Sequence, residues 1–196
     1  MYSIHTTPGF VIDSQPYSEA GKILSLFTRD FGLVKAVAQG IRLEKSKLRY
    51  FTQDYSMGVY SLVRGKEFWR LTSTQDNNNG GQGLAKSEIA VRIGLLLKRF
   101  LNGEEPHHEL FNCVESLTAF LANNQGLTTE ELRTFESLGV FMILKNMGYV
   151  GDDADLASVM GSENPSDINR TLLAKISKKR TIINQHINKA LKESHL

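Results

Sequence analysis

The chain contains a single cysteine, Cys113, among 196 residues. A lone thiol excludes an internal disulfide and any zinc site assembled from several cysteines. It lies in the apolar run Leu110-Phe111-Asn112-Cys113-Val114, where a buried small side chain is expected rather than a reactive nucleophile. Long apolar runs are also missing. The best candidate, Ile93 to Leu97, contains Gly94 and runs into Lys98-Arg99, far short of the ~20 residues a membrane span needs. The segment from Met1 to Pro8 has neither the basic nor the apolar part of a secretory signal. A soluble cytoplasmic protein with no membrane partner is expected. Charge of one sign is lacking too. Lys and Arg number 23 against 21 Asp and Glu, a net charge of +2, which excludes a surface that attracts polyanions everywhere. Clustered catalytic groups are absent as well. His107 and His108 are adjacent and cannot share a helical face. Asp152-Asp153-Ala154-Asp155 has Ser158 where a calcium loop needs glycine. Gly80-Gly81-Gln82-Gly83 lacks the Lys-Ser/Thr of a phosphate loop. No enzyme, metal or cofactor is expected.

What is present is core-forming material, 41% of the residues being hydrophobic. It is organised differently in two parts. Phe10–Ile12, Ile23–Thr28, Leu33–Ala38, Tyr55–Val63 and Phe68–Thr74 read as five short strands separated by glycine turns. Their in-out alternation is blurred, as in a small barrel whose strands are covered on both faces. Gln75 to Gly83 is polar and aperiodic and reads as a hinge. Beyond it apolar residues recur at spacings of three and four: Ile89, Ile93 and Leu97, then Leu110, Val114 and Leu117, then Phe135, Leu138 and Met142. Thr128 to Glu131 supplies a capping box, and Asn164-Pro165 a second helix start. A final helix should align Ile183, Ile187 and Leu191. The expectation is an α+β chain of two domains: a five-stranded OB-type barrel over residues 1–80 and an all-α bundle over 81–196.

Positive charge is local. From Lys35 in the third strand through the loop that follows it, Lys35, Arg42, Lys45, Lys47 and Arg49 face only Glu44, and Tyr50 adjoins the stretch. Lys175, Lys178, Lys179, Arg180, Lys189 and Lys192 face only Glu193 near the C-terminus. Such runs are often merely solvated. Next to a barrel they suit a phosphate backbone, and aromatics beside them can stack on bases. An RNA-binding barrel on a helical scaffold is an alternative that the residues leave open.

Between Pro16 and Leu48 the chain resembles the N-terminal domain of the RecO family. The ordered matches are Pro16, Tyr17, Glu19, Lys22, Ile23, Phe27, Thr28, Gly32, Leu33, Ala38, Gly40, Arg42, Lys45, Ser46 and Leu48. Leu132-Arg133-x-Phe135-Glu136 with Met147-Gly148-Tyr149 is similar to a later helix of that family. Many members carry four zinc-binding cysteines after this point. Here Asp152-Asp153-Ala154-Asp155 stands instead, as in zinc-free members. The resemblance implies an OB-fold and a recombination mediator associated with the nucleoid. Such a mediator binds single- and double-stranded DNA, anneals complementary strands and works with RecR to load RecA. It implies DNA contacts at Lys35, Arg42, Lys45, Lys47, Arg49, Tyr50, Lys178, Lys179 and Arg180. It also implies a groove for the acidic, Phe-ending tail of single-stranded DNA-binding protein (SSB), for which Arg92, Lys98, Arg99 and Arg133 are the candidates.

Overall fold

The computed structural model describes residues 3–43, 46–75, 87–151 and 168–193, apart from the side chains of Lys47 and Tyr50. Lys45, the expected hinge beyond Gln75, the Asp152–Asp155 run and the Asn164-Pro165 helix start lie outside them.

All five expected strands form: β1 (Ile4–Pro16), β2 (Lys22–Thr28), β3 (Gly32–Ala38), β4 (Met57–Val63) and β5 (Trp69–Gln75). They close into a barrel of order β1-β2-β3-β5-β4, the order of an OB-fold. Strand β1 is much longer than the expected Phe10–Ile12. From Ile4 to Phe10 it pairs with β4, and from Gly9 to Pro16 with β2, with a register shift between Val11 and Asp13 that lets it serve both neighbours. Thr6, Thr7, Pro8 and Gly9 hide this strand by breaking the apolar run. A short 3-10 helix, Lys47–Phe51, separates β3 from β4.

Inside the barrel, Val11, Leu24, Leu26, Val34, Ala36, Tyr60, Leu62 and Trp69 form one core cluster. Phe10, Ile12 and Phe27 occupy alternate positions and are buried as well. This explains the blurred alternation. Helix α1 (Glu88–Phe100) contacts β1 from outside, and the Phe111 ring lies 5.4 Å from that of Phe27.

Two compact units divide the chain at residue 111. Helix α1 therefore belongs with the barrel, whereas its period alone had grouped it with the later helices. The contact is close. Tyr55 adopts a left-handed backbone (φ 67°), its N–H donates to the Val11 carbonyl at 2.6 Å, and its ring lies against Gly94. A Cβ on Gly94 would stand 2.4 Å from the Tyr55 ring carbons. Burial, with Asp54 and Asp13 nearby, raises the Tyr55 phenol above its ordinary value. Lys98 donates to Asp13 Oδ2 at 2.8 Å; that hydrogen bond and the Asp13 charge raise the ammonium above its ordinary value.

The second unit holds most of α2 (His108–Asn123) together with α3 (Thr129–Asn146), α4 (Arg170–Ser177) and α5 (Arg180–Glu193). The capping box forms as read: Glu131 N–H donates to Thr128 Oγ1 at 3.2 Å and Thr128 N–H to Glu131 Oε2 at 2.7 Å. The hydrogen bond from the Thr128 backbone, then that from its hydroxyl, hold the Glu131 carboxyl below its ordinary value. Phe120 and Phe135 stack with centroids 5.0 Å apart. Helix α3 packs on both α4 and α5. The buried stripe of α5 is Ile183, Ile187 and Ala190, with Leu191 only half-buried. Helix α4 follows the expected Asn164-Pro165 start, which lies outside the described residues; its own start is fixed by Asn169 Oδ1, which accepts from Leu172 N–H at 2.8 Å.

Gly94→Ala should destabilise the first unit by ~1–3 kcal/mol in denaturant unfolding, the usual cost of overpacking. The Tyr55→Ala, Gly94→Ala double variant should lose less than the sum of its single variants. Burial pushes the Cys113 thiol up to about 12, so at pH 8 it should react with an aromatic disulfide reagent only as fast as the second unit opens. Immediate labelling of the native chain would contradict that burial.

Candidate nucleic-acid interface

The basic loop is positioned by apolar anchors and side-chain hydrogen bonds. Gly40 turns the chain with φ 68°, Ile41 is buried in the barrel core, and Leu48 packs against the same cluster. The 3-10 helix that carries Leu48 is tied down at its C-terminal end. Thr52 Oγ1 donates to the Leu48 carbonyl at 2.7 Å, and the Tyr60 hydroxyl donates to the Phe51 carbonyl at 2.8 Å. Burial holds the Tyr60 phenol far above its ordinary value, so it stays a donor at every physiological pH.

This arrangement brings Arg42 and Arg49 together with Lys22 at the start of β2. The three cations line a 380 Å³ cleft with Ile41, Thr52 and Gln53, and among the described residues no acid lines it. The Arg42 N–H donates to the Ala20 carbonyl at 3.1 Å and its guanidinium reaches the Ser18 carbonyl at 3.4 Å. The loop Tyr17–Gly21 is thereby fixed against the basic loop. Lys35 is exposed on the outward face of β3, opposite Ser25 of β2. Lys47 belongs to the 3-10 helix, as does Tyr50.

A second concavity was not foreseen. In a barrel of this order the loops joining β1 to β2 and β4 to β5 flank the ligand face. Here they contribute Tyr17 on one side and Arg64 to Phe68 on the other. With Val37, Gln39, Val63 and Arg70 they line a groove of 690 Å³. An adjoining recess of 280 Å³ shares Val37, Gln39, Val63 and Arg70 and continues the groove along β5. Arg64, Lys66 and Arg70 give it positive charge, against Glu67. Arg64 is partly engaged, with Nη2 3.1 Å from Glu104 Oε2 and its guanidinium 5.2 Å from the Trp69 ring centroid. The signal in the sequence was Arg64-Gly-Lys-Glu-Phe68-Trp-Arg70, a cationic turn between two strands. Only the strand order shows that this turn lies beside the loop carrying Tyr17.

The remaining expected residues are spread over both units. Arg92, Lys98 and Arg99 lie on α1 in the first unit, whereas Arg133 lies on α3 in the second. Arg92 and Arg99 are exposed and flank Leu95, itself 51% exposed; Lys98 is held by Asp13. In the second unit Lys178 is exposed in the turn before α5 and Lys179 is half-buried. Arg180 is bound by Glu130 at 2.6 Å. Among the described residues no helix is long and apolar enough to cross a membrane.

Comparison with known proteins agrees with this architecture. Residues 1–77 match the family described as Recombination protein O N terminal. The chain is 32% identical to the DNA repair protein RecO of Clostridium novyi over 174 residues, 86% of this chain and 64% of that one. It is 32% identical to that of Clostridium perfringens over 72% of this chain and 57% of the relative. The same protein from Klebsiella pneumoniae is 30% identical over 81% of this chain and 62% of the relative. The chain thus spans less than two thirds of the length of each of these relatives. With a barrel that matches along its whole length and relatives that extend through the helices, the chain belongs to the RecO family.

Proposed function

We propose that this chain is a non-enzymatic mediator of recombinational DNA repair. It binds single- and double-stranded DNA through its barrel, anneals complementary strands and, with RecR, assists RecA onto DNA coated by SSB. The observation that carries the reading is the cleft on which Lys22, Arg42 and Arg49 converge. Three cations converging on one concavity suit successive phosphates of a nucleic-acid backbone, each neutralised phosphate releasing condensed counterions. Family membership selects DNA repair over the many other uses of such a barrel.

The partner contact rests on α1. Arg92, Leu95 and Arg99 follow one another at three and four residues and form a single outward stripe. An apolar side chain between two guanidinium groups suits the acidic, Phe-ending tail of SSB, which offers carboxylates and an aromatic ring. Arg133, the remaining candidate for this tail, lies on α3 in the second unit.

Replacing Arg42 and Arg49 by alanine should weaken binding to all DNA sequences alike. It should also reduce the slope of log affinity against log salt by roughly 0.7–0.9 per cation lost, in a fluorescence anisotropy titration. An unchanged slope would remove the cleft from the interface. The mediator activity is tested by annealing complementary oligonucleotides coated with SSB, its acidic tail present or deleted. Acceleration that needs the tail is the expected result. No acceleration with either coat, or a preference for RNA over DNA at matched salt, would sink the reading.

A further inference from the structure

We infer that the two concavities of the barrel read different parts of DNA: the Lys22–Arg42–Arg49 cleft takes backbone phosphates, and the groove at Tyr17 takes an unpaired base stacked on the Tyr17 ring. This inference rests on the DNA-binding reading above and assigns specificity within it.

Tyr17 is 53% exposed, an unusual place for a large aromatic side chain. Its position is nonetheless fixed. The Tyr17 N–H donates to the Gly21 carbonyl at 3.1 Å and closes its own loop. Arg42 holds the next turn of that loop through the Ser18 and Ala20 carbonyls. Phe68 meets the Tyr17 ring edge-on, with centroids 6.1 Å apart and planes at 75°. An edge-on neighbour braces an aromatic ring without covering its faces. The loop that presents Phe68 is tight: a Cβ on Gly65 would come within 2.3 Å of the Phe68 carbonyl oxygen. Only glycine fits there. Arg64, Lys66 and Arg70 line the same groove and can hold the phosphates on either side of the bound base.

Among the described residues no aromatic lines the phosphate cleft. Its three cations contact phosphates, which single strands and duplexes both present. The Tyr17 groove distinguishes them. In a duplex each base is already stacked on its neighbours along both faces, and no face is left for Tyr17. Single strands consequently gain a stacking contact that disappears on pairing. Stacking on one aromatic ring is worth roughly a 5- to 150-fold gain in affinity. A strand held through its bases loses that hold when it anneals, while the phosphate contact persists. Release of the product then follows from pairing itself and needs no separate conformational step.

The test uses the full chain and three labelled ligands of equal length at one salt concentration: oligo(dT), an abasic strand with the same phosphates, and a blunt duplex. Tyr17→Ala should weaken oligo(dT) binding roughly 5- to 150-fold and leave the abasic strand and the duplex unchanged. Tyr17→Phe should restore oligo(dT) binding, whereas Tyr17→Leu, apolar but without a π-face, should not. Phe68→Ala should act in the same direction on oligo(dT) alone. If Tyr17→Ala weakens all three ligands equally, or none, while the unaltered chain binds normally, the inference falls and DNA binding stands. An unaltered chain that binds none of the three overturns the DNA-binding reading and this assignment with it.

Discussion

The barrel closes through a short parallel seam between β3 and β5, with Ala36 opposite Trp69 and Val37 opposite Arg70. Every other pair of neighbouring strands is antiparallel and longer. Because pairing ends after these positions, the strands diverge, and the groove lined by Val37, Gln39, Val63 and Arg70 opens where they part. The seam is held less by its own hydrogen bonds than by what packs under it. Ala36 and Trp69 both lie in the barrel core, and burying apolar surface of this kind contributes ~25 cal/mol per Å². The barrel interior thus sets the shape of its outer surface.

The cations of the chain fall into two sets. Lys98 with Asp13, Arg180 with Glu130 and Arg64 with Glu104 are paired. Each of these exposed or half-exposed pairs adds little stability, but each partly neutralises a positive charge. Among the described residues no carboxylate is paired with Arg49, Lys66 or Arg70. These unpaired groups line the two concavities. A chain of net charge +2 can therefore present concentrated positive potential where the barrel is concave, while much of its remaining charge is balanced locally.

Most of the fold was legible in the sequence because it rests on short-range signals. Glycine turns between apolar runs gave the strands, and Thr128 with Glu131 gave the start of α3. The full length of β1 was hidden because Pro8 and Gly9 interrupt it, and only pairing on two sides shows that one strand crosses both. Helix α1 was read as a helix but grouped with the wrong neighbours, since the fit of Tyr55 against Gly94 is tertiary and leaves no periodic trace. The site was legible in part. Arg42 and Arg49 stand in a visible basic run, and the fold adds Lys22 to them from a distant turn. Arg64, Lys66 and Arg70 were passed over because each is unremarkable until the strand order puts their turn beside Tyr17. Arg180 shows the converse: conspicuous in a basic run, it is bound to a carboxylate fifty residues away.

Trp69 is the one tryptophan of the chain. Its indole N–H donates to Glu104 Oε1 at 2.9 Å, Arg64 lies over its ring, and Phe31 and His5 pack against it at 4.9 and 5.7 Å. Arg64 also lines the groove, so an anion that draws Arg64 away from Glu104 alters both the charge above the indole and the hydrogen bond to its nitrogen. An intrinsic fluorophore thus sits behind the Arg64 side of the proposed groove, and under that proposal its emission colour and intensity would give an optical record of occupancy without any attached dye.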